Sequence, residues 1–132
     1  MRKVCGLLAA CIVMASMPAF AEDSCALPDD PPKAVDGSTA AAEDITSAAH
    51  NANVYLKAAT AYQDCIGGIL DAKSKEAKAA NREVAKEDEV AYATNWRKVQ
   101  RVKERVGGQY NGALVNYCAR KGADADICAK NK

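Results

Sequence analysis

Few side chains in this 132-residue chain can do covalent or metal chemistry: six cysteines, one histidine and a scatter of carboxylates. A zinc or haem site needs clustered Cys, His or carboxylates at ligand spacing. His50 stands alone and no Cys-x-x-Cys occurs, so the sequence points to no metal and no cofactor, and His50 is expected on the surface of a helix. A cysteine nucleophile needs a free thiolate beside a base. Asp64 adjoins Cys65, but neighbouring helix positions point to different faces, which leaves that carboxylate solvated. The same argument disposes of Glu87-Asp88-Glu89 as a calcium site, since three consecutive helical carboxylates diverge where a calcium loop converges. Catalysis is not expected.

The fate of the cysteines turns on the N-terminus. Met1-Arg2-Lys3 is a charged start, Val4 to Met17 carries no charge, and Ala19-Phe20-Ala21 fits the small-x-small pattern of leader cleavage. Residues 1–21 therefore read as a signal peptide cut after Ala21, delivering a periplasmic or secreted protein. An alternative processing would use Leu8-Ala9-Ala10-Cys11 as a lipobox and lipidate Cys11, but it would keep the apolar stretch from Ile12 to Phe20 in the product. Cleavage at Ala21 leaves 111 of the 132 residues, removes Cys5 and Cys11, and takes the formal charge from +1 to −1 by removing Arg2 and Lys3. Cys25, Cys65, Cys118 and Cys128 remain. Four cysteines in an oxidising compartment predict two disulfides, with three connectivities open. The remaining charge is polarised: seven acids and one lysine over residues 22–46, seven basic residues and one acid over 97–121.

These residues need elements to hold them. Over residues 22–38, Pro28, Pro31 and Pro32 forbid a helix interior and predict an extended strap. Residues 39–132 form the helical domain. Asp36-Gly37-Ser38-Thr39 supplies turn and capping chemistry, so a helix should start near Ala40. From there Ile45, Ala48, Ala52, Tyr55, Ala59, Tyr62, Ile66 and Ile69 recur at steps of three and four, a heptad seam. Gly67-Gly68 predicts a break within 67–75. A second helix is expected over 75–106, its stripe drifting between Ala91 and Val99, where Trp96 would fill the gap. Gly107-Gly108 should end it, with a short third helix from Tyr110 to Arg120 and Gly122 as its C-cap. No strand pattern occurs. The expected fold is all-α: an antiparallel helical hairpin with a proline-rich N-terminal strap and a short C-terminal third helix, stapled by disulfides. Lengths choose among the connectivities. Thirteen strap residues at ~3.1 Å and twenty-six helical ones at ~1.5 Å both span about 40 Å, so a strap folded back along the first helix brings Cys25 to Cys65 and leaves Cys118 for Cys128.

The order Cys25, Pro28, Pro31, Asp36-Gly37, Val54-Tyr55 and Tyr62-x-x-Cys65 resembles a group of small secreted proteins of alphaproteobacteria with a Pro-rich Cys segment, an Asp-Gly turn and a helix ending in Tyr-x-x-Cys. The likeness covers about residues 25–66. It implies a periplasmic helical protein and brings no activity and no site residues. Cys118 and Cys128 fall outside it.

One segment suggests binding. In Asn95 to Val106, Trp96, Val99, Val102 and Val106 make an apolar stripe while Arg97, Lys98, Arg101, Lys103 and Arg105 crowd the other faces. That is how a helix lying on an anionic surface is written, and also how a core-facing amphipathic helix is written. The second reading is favoured, with the arginines solvated or facing the acidic strap. An aromatic nucleic-acid platform would be in the wrong compartment. The expectation is therefore a non-enzymatic structural, protein-interaction or chaperone-like module of the bacterial envelope, with an unidentified protein partner. The alternative is a binder of anionic membrane or lipopolysaccharide through Trp96, Arg97, Lys98, Arg101, Lys103 and Arg105.

Overall fold

The computed structural model describes residues 25–122 and 126–129, so the expected leader, the Cys11 alternative and the cleavage site lie outside the described residues. Two long helices, α1 (Ala42–Ala79) and α2 (Lys86–Lys121), pack side by side, and a single turn, α3 (Asp126–Ala129), follows. The pairs Lys73–Asp88, Gln63–Gln100 and Thr60–Lys103, each linking a later α1 residue to an earlier α2 residue, make the hairpin antiparallel. No strand occurs among the described residues.

The α1 seam is the one its spacing implies. Ile45, Ala52, Tyr55, Ala59 and Tyr62 are buried, and Ala48, Ile66 and Ile69 are half-buried. Opposite them Val99, Val106, Ala113 and Tyr117 are the buried residues of α2. Ala52 and Ala59 alternate with Tyr55 and Tyr62 along the α1 seam, and all four pack with Val99 and Val106 of α2 in one buried cluster.

Two boundaries differ from the sequence expectation for one reason. Gly67-Gly68 does not break α1, and Gly107-Gly108 does not end α2; both pairs are helical. A glycine costs roughly 1 kcal/mol in a helix interior, which the continuing seam outweighs: beyond the first pair Ala77 is buried and Leu70 half-buried, and beyond the second Ala113 and Tyr117 are buried and Tyr110 half-buried. Gly67 is also useful, because a Cβ built there would sit 3.9 Å from the Tyr92 ring, which lies against the bare backbone. Consequently the expected third helix from Tyr110 to Arg120 is the end of α2, and the true third helix is α3. The hairpin turn comes instead at 80–85. Asn81 adopts a left-handed φ of 50°, the Arg82 N–H donates to the Ala77 carbonyl (2.9 Å) and the Asn81 N–H to the Lys78 carbonyl (3.0 Å). That is the paired-bond C-cap that closes a helix on a residue tolerating positive φ. At the end of α2 Gly122 takes a positive φ of 89° and donates its N–H to the Cys118 carbonyl (2.9 Å).

The strap runs back along the hairpin. Cys25 is bonded to Cys65 and Cys118 to Cys128, with Cα separations of 5.8 and 5.7 Å, the pairing that the strap length requires. Pro32 and Val35 are half-buried over Ala48 and Ala52 of α1 and Val106, Tyr110 and Ala113 of α2, leaving a crevice with room for about one water. At the strap's end Asp36 Oδ1 accepts the Ser38 N–H (2.9 Å) and Ser38 Oγ (2.6 Å), an Asx-type turn. Those bonds hold the Asp36 carboxyl below its ordinary pKa, the side-chain bond first and the backbone bond second. Gly37 is buried under α2 so tightly that a Cβ would stand 1.8 Å from the Ala113 carbonyl oxygen. The helix starts two residues later than expected, at Ala42, with the Asp44 carboxylate accepting the Ala41 N–H (3.0 Å). Arg120 ties the far end of α2 to this corner by donating to the Ala40 carbonyl, its guanidinium 5.5 Å from the centre of the Tyr117 ring.

Candidate interaction surface

The basic segment lies in the middle of α2, where 3.6 residues per turn sorts its side chains into two populations. Val99 and Val106 are buried and Val102 is half-buried, all packed in the cluster with Ala52, Tyr55, Ala59 and Tyr62. The apolar stripe is therefore consumed by the hairpin seam. Trp96 is 37% exposed and does not fill the gap as expected, while the half-buried Tyr92, one turn earlier, sets its ring beside Gly67 of α1.

Lys103 also leaves the surface group. Its Nζ donates to Thr60 Oγ1 (2.8 Å) and to Gln63 Oε1 (2.9 Å) on α1. Gln63, buried at 6% exposure, uses its Nε2 to donate to the Trp96 carbonyl (3.2 Å) and to Gln100 Oε1 (3.3 Å), while Gln100 Nε2 donates to Glu104 Oε1 (3.0 Å). A polar residue buried in a helix seam is satisfied only when the two helices meet at one offset, so this group fixes register. Sequence reasoning missed it because Gln63 falls beside the apolar heptad rather than in it. Counting residue 63 as seven before Leu70 and fourteen before Ala77 would have placed it on the inner face.

Arg97, Arg101 and Arg105 recur every four residues on the opposite side of α2, exposed, with Lys98 alongside. The three ion pairs among the described residues are Lys73–Asp88, Lys75–Asp71 and Arg82–Glu76, none of which involves this ridge. The acidic strap does not cover it. Arg105 is near enough to Tyr55 to act against the rise in the Tyr55 pKa that burial causes. Beyond the arginines the same outer side carries Gly108, Gly112 and Val115, the last 66% exposed, and a Cβ at either glycine would meet nothing within 4 Å. Val90, 56% exposed, precedes the ridge. The outer side of α2 is thus a basic middle followed by a low, apolar end.

The residues considered for chemistry are dispersed. His50, Asp64, Glu87 and Glu89 are exposed, Asp88 is held by Lys73, and no group of three potential metal ligands occurs among the described residues. All four described cysteines are in disulfides. Two disulfides suit an oxidising environment, and no helix among the described residues is long and apolar enough to cross a membrane. The chain matches no known protein family, no curated protein and no solved structure. What fold and surface define is a class: a disulfide-stapled all-α hairpin with an exposed basic and apolar outer face.

Proposed function

We propose that this protein works by binding, as an exported helical module of the bacterial envelope that presents the outer side of α2 to a protein partner. The observation that carries the reading is that side itself: Arg97, Arg101 and Arg105 have no ion-pair partner among the described residues, and Val115 is two-thirds exposed beside two open glycines. Cations give orientation and speed of encounter, while a low apolar surface gives close approach and burial. Export rests on the leader pattern of residues 1–21 and fits the two staples. A photo-crosslinking amino acid at position 115, compared with one at the exposed Lys75 on α1, tests the reading in cells. A discrete adduct from position 115 alone is expected; identical adducts from both, or none from 115, would reject it.

The unpaired ridge also favours a second reading, attraction to an anionic membrane or lipopolysaccharide. With Val99 and Val106 buried and Lys103 bonded to α1, such binding would be electrostatic, through Arg97, Lys98, Arg101 and Arg105, without insertion of the Val99–Val106 stripe.

A further inference from the structure

The strap is seated without hydrogen bonds. Among the described residues, positions 25–35 make no backbone or side-chain hydrogen bond; the first is at Asp36. Three of these positions are prolines, which have no N–H to give. What holds the segment is the Cys25–Cys65 bond at one end, Gly37 under α2 at the other, and Pro32 and Val35 in the groove between. Leu27, by contrast, is 71% exposed. A segment held by a covalent latch and a few apolar contacts lies at the low end of local stability once the latch opens. The groove is shaped for an extended, proline-bearing chain, and the segment shown to fit it is this chain's own.

We propose that the groove between α1 and α2 accepts the strap of a second copy, so that two chains exchange residues 25–35 and are sealed by Cys25–Cys65 bonds running between them. The exchange is isologous and closes on itself, each groove losing its own strap and gaining the other. The hinge is the link from Val35 to Asp36, where the strap without hydrogen bonds meets the turn that stays seated on α2. No net oxidation is needed, only a thiol catalyst such as glutathione. Its thiolate attacks the Cys25 sulfur, the Cys25–Cys65 bond breaks, and Cys65 leaves as thiolate while Cys25 carries glutathione. The Cys65 thiolate of one copy then attacks the Cys25 sulfur of the other, expelling glutathione thiolate, so two intrachain bonds become two interchain bonds. Both cysteines are half-buried rather than sealed, which leaves an approach for the thiol. The strap competes with itself at the millimolar effective concentration of a short tether, so the exchanged dimer grows as protein concentration rises toward that range.

The test mixes full chains grown on light and heavy nitrogen in glutathione redox buffer at rising concentration. The mixture is acid-quenched, the dimer is separated, and its disulfide-linked peptides are mapped without reduction. The expected result is a dimer whose Cys25–Cys65 peptides include light–heavy hybrids, while Cys118–Cys128, which closes only a short C-terminal loop, stays within one isotope. Hybrids at both disulfides, or new pairs such as Cys25–Cys118, would mean general scrambling and overturn the proposal. So would the absence of a dimer, or a dimer whose Cys25–Cys65 peptides are never hybrid. Because the outer side of α2 plays no part in this exchange, failure here leaves the binding reading untouched.

Discussion

Among the described glycines, Gly37 is the one whose replacement by alanine meets the closest backbone contact and should do the most damage. The added Cβ would stand 1.8 Å from the Ala113 carbonyl oxygen, 2.6 Å from its carbon and 2.9 Å from its Cα, all backbone atoms of α2. No rotamer change relieves such a contact, because Ala113 sits inside a continuous helix and its backbone is held by the hydrogen-bonded turns on both sides. The turn must lift by more than 1 Å, taking with it Ala40, which packs with Ile45, Ala113, Tyr117 and Cys128. Overpacking of this kind costs typically 1–3 kcal/mol, and the upper half of that range is appropriate where backbone meets backbone. For a domain near 100 residues each kcal/mol moves the melting temperature by about 4–8 °C, so Gly37→Ala should melt about 8–24 °C below the parent. Gly68→Ala is the control of opposite sign. That site is helical with nothing within 4 Å, and exchanging glycine for alanine there should raise stability by about 0.5–1 kcal/mol. Thermal melts followed by circular dichroism at 222 nm, with both disulfides intact, separate the two. If Gly37→Ala melted at or above the parent temperature, the close seating of the turn on α2 would be wrong.

The register group gives a second expectation: Gln63→Ala removes an acceptor from Lys103 and the donor to the Trp96 carbonyl, and should lower urea-unfolding stability by about 1–3 kcal/mol. Asp36 gives a pH dependence. Its folded pKa lies below the ordinary 3.8, so its contribution is complete above that value and is lost as pH falls through the depressed folded pKa. The stability difference between the parent and Asp36→Asn, measured by urea unfolding at pH 7 and again at pH 3 and below, should therefore shrink on acidification. A difference that stayed constant would contradict the turn. Trp96 reports on the seam: because Val99 and Val106 are packed inside, vesicles of anionic lipid should not shift its emission to the blue, even where the arginine ridge makes the protein cosediment at low salt and release at high salt. A lipid-dependent blue shift that reverses with salt would show that the stripe can leave the core.

The fold class, the strap and the α1 seam were legible in the sequence because each rests on a strong local rule: prolines against a helix interior, alternating steps of three and four, cysteines at matched reach. Boundaries were less legible. Gly67-Gly68 and Gly107-Gly108 have the local chemistry of breaks, yet a seam running past each pair outweighs two glycine penalties, and that sum involves residues on the other helix. The true turn was marked only by Asn81, one residue that tolerates positive φ among good helix formers. The basic segment was the most ambiguous, since its composition fits both a membrane-lying helix and the core-facing one that the sequence favoured. Only the placement of Val99 and Val106 against Tyr55, Ala59 and Tyr62 separates Arg97, Arg101 and Arg105 from the stripe and gives Lys103 to Thr60 and Gln63.

The central claim, an exported chain whose strap is stapled back onto its own first helix, is tested most directly by intact mass and non-reducing peptide mapping of the full-length gene product recovered from the cell envelope fraction at low micromolar concentration. The account predicts a chain beginning at Glu22, four cysteines without free thiol, and linked peptides joining Cys25 to Cys65 and Cys118 to Cys128. A chain that keeps Met1, one lipidated at Cys11, or a map in which Cys25 is joined to Cys118 or Cys128 would contradict it.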